Sequence, residues 1–213
     1  MSKDTKKGAL LVVSGFSGAG KGTVMKKLLK KYDNYALSIS MTTRAPRAGE
    51  ENGREYFFVD TDTFEQKIEE NKVIEYAKYC DNYYGTPREY VEEQLESGKD
   101  VILEIEIQGA LKVKEMFPDT VLLFIMPPSA EELQRRLVSR GTETAEVIKK
   151  RMDRAVEEAL FMEKYDYIVI NDDLDRCVEE LHGIVNTVHQ EAARNEEKIE
   201  TMKKELEELS KGE

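Results

Sequence analysis

Gly15-Phe-Ser-Gly-Ala-Gly-Lys-Gly-Thr23 stands just after the apolar run Ala9-Leu-Leu-Val-Val13 and opens into residues 23–31, where Val24, Leu28 and Leu29 recur among lysines. The first run predicts a buried strand and the second an amphipathic helix, so the glycines fall in a strand, loop, helix turn. Their spacing is G-x-x-x-x-G-K. Glycines let the backbone fold around an anion with its N–H groups turned inward. The helix adds its positive N-terminal end, and a lysine at this position reaches the outer phosphates of a nucleoside triphosphate. The nucleotide site expected from the motif is Gly15, Phe16, Ser17, Gly18, Ala19, Gly20, Lys21, Gly22 and Thr23. In its general form the motif has Ser or Thr directly after the lysine. Here that position is Gly22 and the hydroxyl comes one residue later, at Thr23, which weakens a direct hydroxyl contact to magnesium.

Working outward, further buried-strand runs stand at Val101-Ile-Leu-Glu-Ile105, Val121-Leu-Leu-Phe-Ile-Met126 and Tyr167-Ile-Val-Ile170, with helical periodicity between them. Apolar strands alternating with amphipathic helices predict an α/β fold with a parallel sheet covered on both faces. Two segments interrupt the alternation. Residues 38–92, rich in Arg, Tyr, Gly and Glu and carrying short strand-like pieces such as Glu55-Tyr-Phe-Phe-Val59, predict a small mixed lobe. Residues 129–160 predict a helical insert that is locally basic, with seven Lys/Arg against three Asp/Glu between Arg135 and Arg154. On charge alone that insert is either a solvated helix face or an anion-facing lid. The expected division is therefore core 1–37, lobe 38–92, core 93–128, lid 129–160, core 161–190 and a charged helical tail 191–213. In the tail Ile199, Met202, Leu206 and Leu209 share one helical stripe, which suggests self-association into a homo-oligomer.

Composition narrows the class. The chain has 213 residues, 43 acidic against 32 basic, hence a net charge of −11, which argues against a nucleic-acid coat while leaving room for a local basic cleft. Its longest apolar run has six residues, Val121 to Met126, against the roughly 18 needed to cross a bilayer. The start, Met1-Ser-Lys-Asp-Thr-Lys-Lys7, holds no apolar stretch of signal-peptide length, so the cytoplasm is the expected location. Cys80 and Cys177 lack metal or redox spacing and are expected to be reduced and structural. The two histidines, His182 and His189, give a zinc site or a histidine dyad too little material and are expected to be surface filler.

Several separated motifs occur in order: Ser40-Met-Thr-Thr-Arg-Ala-Pro-Arg-Ala-Gly-Glu-Glu-Asn-Gly-Arg-Glu-Tyr56, Val73-Ile-Glu-Tyr76, Asn82-Tyr-Tyr-Gly-Thr86, Leu103-Glu-Ile-Glu-Ile-Gln-Gly-Ala110, Arg135-Arg-Leu-Val-Ser-Arg-Gly-Thr-Glu-Thr144 and Tyr165-Asp-Tyr-Ile-Val-Ile-Asn-Asp-Asp-Leu174. Together they closely resemble the guanylate kinase family over about residues 8 to 190. The resemblance implies a core, a GMP-binding lobe and a mobile lid over ATP, and the transfer ATP + GMP to ADP + GDP in purine nucleotide metabolism and GMP recycling. It puts a clamp for the GMP phosphate on Arg44, Arg47, Tyr56 and Tyr84, and recognition of guanine on Ser40, Glu75, Thr86 and Glu106. Guanidinium forks suit phosphate oxygens, and a carboxylate suits the adjacent N1–H and N2 donors of guanine. Taken alone, Glu75 in its alternating stretch would read as a solvent-facing strand residue.

The resemblance also puts Lys21, Arg44, Arg136, Arg140 and Arg151 on the charge of the transferring phosphoryl group, with Mg2+ carried by ATP. Thr23 and Glu104 are the candidate protein ligands of that ion. Two departures from the family stand out. Glu104 and Glu106 replace an Asp-x-Asp pair, which lengthens each reach by one methylene. Phe16 replaces a frequent proline and is expected to sit on the rim of the loop with little effect. Two other readings stay open: a phosphate-loop kinase for a different monophosphate, and a scaffold module that keeps the lobe to bind phosphopeptides. The intact Gly15, Gly18, Gly20 and Lys21 separate the enzyme readings from the module.

Overall fold

The computed structural model describes residues 7–79, 81–139 and 144–211. In chain order these form β1 (Leu10–Gly15), α1 (Lys21–Lys31), β2 (Tyr35–Leu37), β3 (Met41–Thr42), β4 (Phe57–Phe58), α2 (Thr61–Glu69), β5 (Val73–Tyr79), β6 (Asn82–Pro87), α3 (Arg88–Glu96) and β7 (Asp100–Glu104). Then follow α4 (Ile107–Met116), β8 (Val121–Met126), α5 (Ala130–Ser139), α6 (Ala145–Ala159), β9 (Tyr167–Ile170), α7 (Leu174–Val188) and α8 (Glu196–Lys211).

The larger sheet has the order β2-β7-β1-β8-β9, and each of its pairings is parallel. Its strands read as unbroken apolar runs because both faces are covered. Leu11 and Val13 of β1, with Leu123 and Ile125 of β8, pack against Val24 and Leu28 of α1 and Val178, Leu181 and Val185 of α7. The intervening Leu10, Val12, Leu122 and Phe124 pack against Val91 and Leu95 of α3 and Ala110 and Val113 of α4. Period-2 alternation thus feeds two cores rather than one core and solvent. Each fully buried Leu, Ile, Val or Phe contributes roughly 1.5–3 kcal/mol relative to exposure.

The carboxyl ends of these strands gather on one side, the side where ligands bind in open α/β sheets. β1 leads into the glycine loop, β7 ends at Glu104, and Asn171 follows β9. The chain between β2 and β7 carries a second sheet, β4-β3-β6-β5, over a small core of Met41, Phe64 and Val73. In the segment with the basic charge pattern, Ala130–Ser139 form α5 and Ala145–Ala159 form α6.

The histidines are not surface filler. His189 Nε2 lies 2.7 Å from Oδ1 of the buried Asp100, which also accepts the Ala9 N–H at 2.8 Å and the Asn34 amide at 3.0 Å. That carboxylate ties the start of the sheet to the end of α7. His182 stacks on Tyr32 with centroids 3.7 Å apart, and its Nδ1 lies 2.8 Å from the Tyr35 hydroxyl. The expectation failed because Asp100 and Tyr35 lie far from their partners in sequence. Cys177 is buried and free, whereas Cys80 lies outside the described residues. In α8 the stripe Ile199, Met202, Leu206 and Leu209 is 38, 56, 58 and 73 % exposed.

Candidate active site

The glycine loop is shaped by contacts that forbid larger side chains. A Cβ on Gly15 would lie 2.1 Å from the Ile125 carbonyl oxygen of β8. Gly20 has φ +93, and a Cβ there would lie 2.6 Å from the Asn171 amide. That amide instead donates to the Ala19 carbonyl at 2.8 Å. α1 begins on Gly20 with no capping side chain and no acidic residue in its first turn, so its N-terminal field is left for an outside anion. Lys21 Nζ folds back on the loop, 2.6 Å from the Gly15 carbonyl and 3.3 Å from that of Phe16.

Two arginines of the insert reach the same loop. Arg136 of α5 donates to the Ala19 carbonyl at 3.2 Å and the Asn171 carbonyl at 2.7 Å, and is paired with Glu132. Arg151 of α6 donates to Ser17 Oγ at 3.0 Å. Arg140 lies outside the described residues. Phe16 is more than a rim residue. Its ring meets Phe124 edge-on at 5.0 Å and packs against both faces of the core and the α5/α6 cluster of Leu133, Leu137 and Ala155. An aromatic ring at this place spans a gap that a smaller residue would leave open.

In the smaller lobe, Arg44 lies over Tyr56, its guanidinium carbon 5.3 Å from the ring centroid, and Tyr56 meets Tyr84 at 6.0 Å. Arg47 is exposed on the same turn. Glu75 is brought to the seam between the lobe and the core. The register between β5 and β6 shifts between Val73 and Tyr76, which re-aims the intervening side chain. Its Oε1 accepts from Thr86 Oγ1 at 2.7 Å. Its Oε2 lies close to α4, 3.2 Å from where a Cβ on Gly109 would sit. Glu75 is therefore half-buried rather than solvent-facing. Burial pushes its carboxyl above the usual glutamate range, and the Thr86 hydroxyl partly offsets this. Ser40 is half-buried beside β3, and its carbonyl accepts from the Phe57 N–H.

A cavity of about 340 Å³ joins the two halves, with Gly15 and Lys21 on one wall, Tyr56 on another, and Glu104 and Glu106 between them. Burial raises the Glu104 carboxyl, and Lys21 pulls it partly back. Glu106 is not turned inward alone, because its Oε2 accepts from Arg154 Nη2 at 2.6 Å. Arg154 in turn donates to Glu158 at 2.9 Å, and Glu158 lines the cavity as well. Sequence reasoning gave no role to Arg154, Glu158, Asn171 or Gly109: the first two lie outside the quoted motifs, and Asn171 and Gly109, though inside them, meet partners that are distant in sequence.

A family model described as guanylate kinase matches residues 7–188. The chain belongs to the guanylate kinase family. It is 56 % identical over 180 residues to the guanylate kinase of Caldanaerobacter subterraneus subsp. tengcongensis, covering 84 % of this chain and 87 % of that protein. With the guanylate kinase of Clostridioides difficile it shares 49 % identity over 202 residues, covering 94 % and 98 %. The crystal structure of guanylate kinase from Anaplasma phagocytophilum superposes with a TM-score of 0.68 at 35 % identity, covering 89 % of this chain and 90 % of that one.

Proposed function

We infer that this guanylate kinase family member transfers the γ-phosphoryl group of ATP to GMP, giving ADP and GDP by in-line displacement. The observation that carries this reading is the cavity lined both by Lys21 of the phosphate loop and by Tyr56 of the smaller lobe. In the proposed division, residues 38–92 are the acceptor lobe, residues 129–160 the lid, and the remainder up to 190 the core. ATP is held by the 15–23 loop. The GMP phosphate is held by Arg44, Arg47, Tyr56 and Tyr84, and guanine is read by Ser40, Glu75, Thr86 and Glu106. No general base is needed, because a monophosphate oxygen is already anionic near neutral pH. The protein's work is to hold two anions that repel and to spread charge over Lys21, Arg136, Arg140 and Arg151. Closure of lid and lobe excludes water that would otherwise take the phosphoryl group.

Mg2+ is proposed to arrive with ATP, and Glu104 and Thr23 are the residues that would hold it. The fit is chemical: the Glu104 carboxyl, raised by desolvation beside the phosphate lysine, is one that a divalent cation would stabilise as the anion. When bound, the ion neutralises charge on the β and γ oxygens.

A coupled assay of ADP release with ATP and GMP tests the activity, and the absence of GMP-dependent ADP would overturn it. Replacing GMP with other monophosphates in the same assay tests the second kinase reading. Proton linkage gives a sharper check on Glu75. Guanine engages the ionised carboxylate, so affinity is complete above the carboxyl's pKa in the free protein and is lost as pH falls through it. Since that pKa is raised, the inhibition constant of guanosine against GMP should begin to weaken at a pH above the usual glutamate range. Guanosine has no phosphate to titrate. A flat profile there, or an unchanged one in Glu75→Gln, would remove Glu75 from the base site.

The proposed compartment is the cytoplasm, where both nucleotides are available; no described helix is long and apolar enough to cross a membrane. Self-association through the α8 stripe is a separate proposal. Its four apolar side chains find no buried place within the described fold. Leu206→Glu should convert a self-associating chain to a slower-sedimenting one, and identical sedimentation would dismiss the idea.

A further inference from the structure

Glu50 belongs to the turn between Arg44 and Tyr56, and neither motif nor spacing gives it a role. Both its carboxylate oxygens lie 2.9 Å from Arg44 Nη2. Oε2 also accepts the Arg47 N–H at 2.7 Å. The same guanidinium lies over Tyr56 and Phe58, at 5.3 and 5.7 Å from their centroids, and its Nη1 donates to the Ala45 carbonyl at 2.7 Å. The pair is well shielded, with the Arg44 and Glu50 side chains 15 and 17 % exposed. We propose that Glu50 is a positioning residue for the acceptor's phosphate, holding Arg44 and the backbone of Arg47 in one rigid turn before the phosphate arrives. This rests on the reading of the lobe as the GMP-binding part.

An unpinned arginine loses much rotamer freedom on binding, and a pinned one has already lost it, so the phosphate meets a preorganised fork. The opposite reading is that a carboxylate beside the clamp competes with the incoming anion and must leave. The contact to the Arg47 N–H decides between them: a carboxylate tied to the backbone of its own turn has no reason to swing away. Burial works against ionisation here, but the Arg47 N–H and the Arg44 guanidinium outweigh it and hold the Glu50 carboxyl below the usual glutamate range, keeping it ionised at neutral pH.

The test is calorimetric titration of the full chain with GMP and, separately, with guanosine, both without ATP. Glu50→Gln should weaken GMP by about 10-fold or more, the scale of a lost charge-assisted contact, and leave guanosine within about twofold. A general disturbance of the lobe would weaken both ligands alike and would overturn the proposal. GMP affinity unchanged or improved would also overturn it, in favour of the competing anion. If Glu50→Gln loses guanosine binding through misfolding, Glu50→Asp keeps the charge but shortens the reach. It should then weaken GMP selectively and to a smaller degree, and an equal loss for guanosine would sink the idea. The native chain in the ADP-release assay decides the activity independently, so failure of the kinase reading and failure of the Glu50 role give different results.

Discussion

Lys21→Ala is expected to lower kcat by on the order of 10²–10³-fold, the range seen when one preorganised charge on a transition state is removed. GMP affinity should change by no more than about twofold, because in the proposed site Lys21 serves the donor phosphates while Arg44, Arg47, Tyr56 and Tyr84 serve the acceptor. The loss should be in turnover because the charge it opposes grows only as the phosphoryl group moves. Its present contacts, the carbonyls of Gly15 and Phe16, place the ammonium at the mouth of the loop. Single-turnover rates beside GMP titrations separate the two quantities. A fall in GMP affinity as large as the fall in rate would move Lys21 to the acceptor side and overturn the assignment.

Glu75→Gln carries the second large effect, on selectivity. Native enzyme should reject AMP strongly, since adenine offers no donor at N1 and no amine at C2, which leaves a half-buried carboxylate without partners. Sites built around such hydrogen bonds discriminate by roughly 10⁴–10⁵. The substitution should cost about 1–3 kcal/mol in kcat/KM for GMP, because an amide keeps one acceptor and loses the charge-assisted pair. IMP keeps N1–H and lacks the amine, so it should fall between GMP and AMP with the native chain and lose its handicap relative to GMP in the variant. The measurement is kcat/KM for the three acceptors with both proteins. An unchanged GMP-to-IMP ratio would transfer base choice to Ser40, Thr86 or Glu106. The Arg154 contact makes Glu106 the first of these to examine.

The core was legible because its constraints are local. β8 and β9 run over Val121–Met126 and Tyr167–Ile170, where the apolar runs stand, and β1 extends its run only as far as Gly15. The glycine loop was legible because backbone geometry dictates residue type at Gly15 and Gly20. The small lobe was not readable strand by strand: β3 and β4 have two residues each and their side chains are mixed in character. Side-chain partners were the least legible. The pairings of Arg154 with Glu106, Asp100 with His189 and Asn171 with Ala19 join residues 48, 89 and 152 apart, and no periodicity encodes such distances. Phe16 was misjudged for the same reason, since its neighbours Phe124, Leu133 and Leu137 come from the middle of the chain.

The place of β1 in the large sheet also sets an order of events during synthesis. This strand pairs Leu10 with Val101 and Leu11 with Val121, so its neighbours are complete only once the chain has left the ribosome as far as Glu104 for β7 and Met126 for β8. Contacts so far apart in sequence close late and slowly, whereas the antiparallel β5 and β6, adjacent in sequence, can pair as soon as they emerge. The nascent chain therefore carries the lobe as its earliest ordered piece, while the glycine loop at the end of β1 waits for Ile125 to fix Gly15. A ribosome stalled before that point holds a chain whose β5 and β6 can pair but whose glycine loop still lacks the strand that shapes it.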